Sequence, residues 1–299
     1  MPSLGAHATR PIVKMIGKRL AAANTPEELR DEFALAATLL LPSLGTRREE
    51  IRLNGIRTVR VGTGNADTTG RGILMFHGGG YVFGRASRYA SLGGRYAKAA
   101  GAPVYIPEYR LAPDHPCPGA AEDGLQAYKA MLDRYPNDKI AVTGDSAGGG
   151  ISVATLQAAC VEGLPMPSSL VLLSPWLDVS GASESMQTNR NSEILILPET
   201  FTRCARWYAG GQDATDPVMS PIYGSLAGLP PTLIQASGNE MLYNDSTRFA
   251  ARAREEGVDV RLVTEPDMWH VWQLMAPLVR EARQAIAQVG DFFDSHLAD

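Results

Sequence analysis

Apolar residues recur along the chain with two periods, and the switch between them marks out the elements. Near the N-terminus Leu29, Phe33, Ala36, Ala37 and Leu40 fall at helical spacing. Ahead of them, Thr25-Pro26-Glu27-Glu28 supplies a cap, a proline at the first helical position and a glutamate three residues after the cap. The spacing predicts a helix from there to near Pro42; with the stretch Pro11 to Leu20 it makes a helical N-terminal arm whose apolar side needs something to cover. From Ile51 the pattern turns to short β runs, Ile51 to Leu53 and Thr58 to Val61, folded back across the Asn54-Gly55 turn signal. Six apolar runs of strand length follow: Ile73 to Phe76, Pro103 to Ile106, Ile140 to Thr143, Leu170 to Leu173, Thr232 to Ala236 and Val260 to Val263. They alternate with helical stretches at Ser87 to Ala100, Gly119 to Tyr135, Ala147 to Glu162, Asp245 to Glu256 and Glu281 to His296. Such alternation predicts an α/β fold, a mostly parallel central sheet flanked by helices on both faces.

One insertion breaks the rhythm. Between Trp176 and about Asp216 a polar stretch leads into Ile194-Leu195-Ile196-Leu197-Pro198 and a helical segment that ends at Gly210-Gly211. The expectation is a single domain over residues 1–299 with a helical lid on the sheet's carboxyl edge, built from about residues 1–48 and 177–216.

Composition narrows the function classes. With 299 residues, 44% of them hydrophobic and 20% charged, and a net charge of -4, the chain has the make-up of an ordinary soluble enzyme. Lys and Arg form only short pairs such as Arg47-Arg48, which argues against a nucleic-acid partner. Cys117, Cys160 and Cys204 are odd in number and widely spaced, so neither a disulfide framework nor a metal site is expected and a reducing cytoplasm is the natural compartment. Met1 to Leu20 lacks the continuous apolar run of a signal peptide, and no segment is long enough for stable membrane insertion.

The strongest chemical signal is Gly144-Asp145-Ser146-Ala147-Gly148, placed after a buried strand and before a helix. This is the context of the GxSxG nucleophile elbow, in which a sharp turn presents the serine and glycines let strand and helix approach closely. A second strand ends at His77-Gly78-Gly79-Gly80, where consecutive glycines allow backbone N–H groups to reach a developing oxyanion. No GxGxxG or P-loop spacing accompanies it, so a nucleotide site is poorly supported.

A serine nucleophile needs a base. In chains with this elbow the order is serine, acid, histidine, which leaves His270 and His296 among the five histidines. His270, on a turn-like stretch after a strand, is the better base; His296 ends the terminal helix. For the acid, both Glu240 and Asp245 follow the strand Thr232 to Ala236. Glu240 lies nearer the strand's carboxyl end, while Asp245 suits a helix cap.

Together with Tyr109-Arg110-Leu111-Ala112-Pro113-Asp114-His115-Pro116, these blocks make the chain resemble the bacterial hormone-sensitive lipase-like esterases of the α/β-hydrolase fold, over about Gly72 to Phe292. The resemblance implies a Ser146-His270-Glu240 triad and oxyanion amides at Gly79, Gly80 and Ala147. It also implies a lid joining arm and insertion, short acyl esters as substrates and no cofactor. Two blocks depart from the family: its usual acid is an aspartate where this chain has Glu240, and its HGF reads His270-Val271-Trp272. Trp272, with Trp269, is expected either to reshape the pocket or to sit in the core. The expected function is carboxylic ester hydrolysis on short to medium acyl chains through an acyl-enzyme intermediate. The rivals are a ligand-binding protein on the same scaffold, or an amidase. Relatives often pair through a sheet edge, so a homodimer is a further expectation.

Overall fold

The Asn54-Gly55 turn folds strand β1 (Arg47–Leu53) back onto β2 (Ile56–Gly62), and this hairpin opens an eight-stranded sheet in the computed structural model. Residues 1–64 and 69–297 are described; 65–68 and 298–299, inside the span expected as one domain, lie outside the described residues. The other strands are β3 (Gly72–Phe76), β4 (Val104–Pro107), β5 (Ile140–Asp145), β6 (Ser169–Leu173), β7 (Thr232–Ser237) and β8 (Val260–Glu265). Their spatial order is β1-β2-β4-β3-β5-β6-β7-β8. The pairs β1–β2 and β2–β4 are antiparallel and all the others parallel. The winding reverses at β3, with β4 on one side and β5 on the other. The carboxyl ends of β3 and β5 flank that switch point, where open parallel sheets place their ligands.

Helices α1 (Leu4–Ala22) and α2 (Pro26–Ala36) form the arm; α3 (Ala86–Ala100), α4 (Gly119–Leu132) and α5 (Ala147–Val161) alternate with the strands. The insertion carries α6 (Ser185–Thr188) and α7 (Pro198–Ala209), and α8 (Tyr243–Glu255) and α9 (Arg280–His296) complete the chain. Strand side chains alternate between two cores. Leu74, Phe76, Val142, Leu170 and Leu172 pack with Tyr128, Leu156 and Phe249 of α4, α5 and α8, whereas Ile73, Met75, Ala141, Val171 and Leu173 pack with Tyr96 and Phe293 of α3 and α9.

Several predicted elements change their limits. The arm's first helix starts at Leu4, not Pro11: the Ser3 hydroxyl caps it by accepting from the Ala6 amide at 3.2 Å, and Ser3 is held in turn by Glu281 of α9. Pro11 sits on the exposed face of that helix. The second helix begins as predicted, with the Thr25 hydroxyl accepting from the Glu28 amide at 3.2 Å, but gives way to a 3-10 turn over Ala37–Leu39. Asp245 does not cap α8, whose N-cap is Leu242; it lies inside the first turn.

Candidate active site

Strand β5 delivers Ser146 to the sheet edge with φ 52° and ψ −123°, a region non-glycine residues rarely occupy. Such strain persists where the surroundings over-determine it. Here the Ser146 amide donates to the Leu173 carbonyl at 2.9 Å and its own carbonyl accepts from the Trp176 amide at 2.9 Å. Gly148 is required for the turn, because a Cβ there would sit 2.1 Å from the Phe76 carbonyl oxygen.

The candidate base and acid arrive from neighbouring strands. His270 follows β8, and its Nδ1 lies 2.7 Å from Glu240 Oε2 with both side chains buried. Glu240 follows β7, and its other oxygen accepts from the Ser237 amide at 2.7 Å. Burial alone would lower the pKa of the imidazole. The hydrogen bond to Glu240 and the negative charges of Glu240, Glu193 and Asp145 outweigh it, holding His270 above the ordinary value of 6.5. With Nδ1 donating to a carboxylate, Nε2 is the basic nitrogen, and it makes no hydrogen bond among the described residues.

Ser146, His270, Gly79 and Gly80 line one cavity of about 80 Å³. Its apolar walls come from the arm (Ile16, Leu20, Phe33), the insertion (Leu195, Ile196) and the 3-10 turn after His270 (Leu274, Met275). A larger surface groove of about 1100 Å³ beside Arg30 and Glu108 is lined by charges of both signs and holds neither Ser146 nor His270. Trp269 and Trp272 are buried in the core and do not line the cavity; Val271 does.

Gly79 takes φ 129° and Gly80 φ 58°. At Gly79 a Cβ would fall 2.0 Å from the Phe83 carbonyl oxygen, so only glycine permits the loop. Among the described residues, no hydrogen bond within the chain engages the amides of Gly79, Gly80 or Ala147, and Ala147 opens α5 with its N-terminal N–H groups free of helical partners.

Three features of the site escape sequence reasoning. Asp145 of the elbow accepts from the Gly78 amide at 2.9 Å and the Tyr89 hydroxyl at 3.0 Å, tying the glycine loop to the end of β5. Burial raises its carboxyl to about 7. His77, stacked on Tyr109, is pushed down to about 4 by burial and is a structural neutral ring. Glu193, an isolated acid before an apolar run, is buried in the insertion. The second acid candidate, Asp245, accepts from the amides of Leu177 and Asp178 at 2.8 and 2.9 Å and from the Ser183 hydroxyl, with no bond to His270. Its carboxyl anchors the start of the insertion. Among the described residues no cluster of His, Cys, Asp and Glu is placed to hold a metal ion, and no helix is long and apolar enough to cross a membrane.

A family profile described as alpha/beta hydrolase fold matches residues 73–274. An acetyl-hydrolase of Streptomyces hygroscopicus is 38% identical over 224 residues, covering 75% of each chain. An ethyl acetate hydrolase of Pseudomonas putida is 30% identical, covering 76% of this chain and 74% of its own. Among solved structures, an esterase from the bacterial hormone-sensitive lipase family superposes with a TM-score of 0.94 at 35% identity over the whole of both chains.

Proposed function

The chain belongs to the α/β-hydrolase family, in its branch of bacterial hormone-sensitive lipase-like esterases, and from that premise we propose that it hydrolyses short-chain carboxylic esters through an acyl-enzyme on Ser146. The observation that carries the reading is the buried 2.7 Å contact between His270 and Glu240, with the opposite imidazole nitrogen unclaimed and Ser146 on the same cavity wall.

In the proposed reaction the Ser146 hydroxyl attacks the ester carbonyl while His270 Nε2 takes its proton. Glu240 keeps the proton on Nδ1 and stabilises the imidazolium. The amides of Gly79, Gly80 and Ala147 receive the oxyanion; losing one such donor costs about 10²–10³ in turnover. His270 then gives its proton to the leaving alcohol, and water activated by the same histidine releases the acid.

Size supports a short acyl group. A cavity of about 80 Å³ is far below the roughly 300–1,000 Å³ of sites for drug-sized ligands. Acyl chains of about two to eight carbons are therefore preferred, with the shortest fastest. In this reading the arm and the insertion form a lid, since both contribute apolar walls.

A ligand-binding protein would not need a strained nucleophile and a base on one cavity with a buried acid bonded to that base. An amidase would use the same residues, but the relative from Pseudomonas is named for a small ester, ethyl acetate, and the one from Streptomyces for removal of an acetyl group. Hydrolysis of p-nitrophenyl esters from acetyl to dodecanoyl, by wild type and Ser146→Ala, tests the proposal. Folded Ser146→Ala should be inactive throughout; retained turnover refutes the acyl-enzyme, and a long-chain optimum refutes the size argument.

A further inference from the structure

Glu193 has no part in the chemistry just described, yet it is a carboxylate that is only 5% exposed beside the active site. Its Oε1 accepts from the amides of Ile194 and Leu195 at 2.8 Å each and of Ile196 at 3.3 Å. Its Oε2 accepts from the amide of Met241 at 3.2 Å. Four backbone donors thus converge on one side chain, and only an ionised carboxylate offers acceptors alone on both oxygens. A glutamine would turn its NH₂ toward one set of these donors.

Two neighbours extend the grip. Asn189 Nδ2 donates to the carbonyls of Gly238 and Glu240 at 2.9 and 3.0 Å, and the Ser192 hydroxyl donates to the Asn239 carbonyl at 2.9 Å. Residues 189–193 therefore hold every backbone position from Gly238 to Met241, the turn that presents Glu240. On its other side Glu193 organises Leu195 and Ile196, which line the cavity.

We propose that Glu193 is a positioning residue for acyl transfer, which locks the cavity wall at Leu195 and Ile196 to the turn carrying Glu240 and brings a second buried carboxylate to bear on His270. The proposal rests on the reaction assigned to Ser146. Three acids bear on the imidazole: Glu240 from the turn after β7, Glu193 from the insertion and Asp145 from the end of β5. Burial, with a smaller push from the Glu240 charge, holds the Glu193 carboxyl above its ordinary value, while the charge of His270 and the amides of Leu195 and Met241 pull it down, so an imidazolium and the Glu193 carboxylate favour each other. Above its own raised pKa, His270 is protonated only while acyl transfer proceeds, so there a wall fixed to that charge favours the reacting state over the resting one.

The test uses the full chain with Glu193→Gln, Glu193→Asp and Asn189→Ala, following kcat, KM and pH profile on p-nitrophenyl acetate beside thermal unfolding. Ser146→Ala runs in parallel. Glu193→Gln should lower kcat about tenfold to a hundredfold, the scale of a misplacement near 1 Å. It should also move the acid limb of kcat/KM to lower pH, because one charge favouring the imidazolium is gone. Glu193→Asp should restore the acid limb but not kcat, since its shorter side chain keeps the charge without reaching all four amides. Asn189→Ala, which leaves every charge in place, should lower kcat without moving the acid limb. A folded Glu193→Gln with wild-type kcat and acid limb overturns the proposal. If that variant does not fold, an unchanged kcat in Asn189→Ala overturns it instead. Turnover in Ser146→Ala would sink the underlying reaction, an outcome distinct from either.

Discussion

Replacing Glu240 by glutamine isolates the charge behind the base while keeping its shape. Glu240 is buried, with one oxygen 2.7 Å from His270 Nδ1 and the other accepting from the Ser237 amide at 2.7 Å. In the variant the Ser237 amide still requires an acceptor, so the glutamine oxygen turns there and its NH₂ faces His270. Nδ1 then becomes an acceptor and the ring proton moves to Nε2, the nitrogen proposed to take the proton of Ser146. Triads given the wrong tautomer in this way lose about 10⁴ in kcat. That factor is about 5.4 kcal/mol of transition-state stabilisation. Turnover of p-nitrophenyl acetate at pH 8, beside a thermal melt, is the assay. A folded variant within tenfold of wild type refutes the assignment. Asp245→Ala is the contrasting case. It orphans the amides of Leu177 and Asp178 and the Ser183 hydroxyl, at roughly 1–3 kcal/mol for each buried donor. The result should be a sharply lowered melting temperature with much of the turnover kept in the folded fraction. A stable but inactive Asp245→Ala together with an active Glu240→Gln would exchange the two roles.

Gly79→Ala should lower kcat about 10²–10³-fold with a small change in KM, because the loop must move to relieve a contact with the Phe83 carbonyl and one oxyanion amide moves with it; an unchanged kcat would remove Gly79 from the oxyanion site. Deleting residues through Leu41 should uncover the apolar wall formed by Ile16, Leu20 and Phe33 and cause aggregation or loss of activity, so an unchanged truncated enzyme would refute the lid. Burial raises Asp145 from 3.8 to about 7, so its contribution to stability is full below pH 3.8 and lost as pH rises through about 7. Asp145→Asn lacks this term, and its melting temperature relative to wild type should rise between pH 4 and pH 8; a constant difference would show that the carboxyl is not so shifted.

The parallel sheet, the elbow and the glycine loop were legible because each is a local pattern. Continuous apolar runs such as Ile73 to Phe76 mark strands covered on both faces, and Gly148 and Gly79 stand where contacts with Phe76 and Phe83 exclude any side chain. Chain order pointed to His270, and distance from the strand end favoured Glu240 over Asp245, because these rules follow from how a β/α unit delivers residues to its carboxyl edge. Contacts distant in sequence left no such mark. Helix α1 extends back to Leu4 because Ser3 meets Glu281, 278 residues away. Trp272 turns into the core, and Asp245 clasps the insertion instead of capping α8. Glu193 reads as one acid before an apolar run until the fold brings Met241, 48 residues on, to its second oxygen. The periods of the backbone are written in neighbouring residues, whereas the partner of a buried polar group is set by packing between elements, and only the tertiary structure decides it.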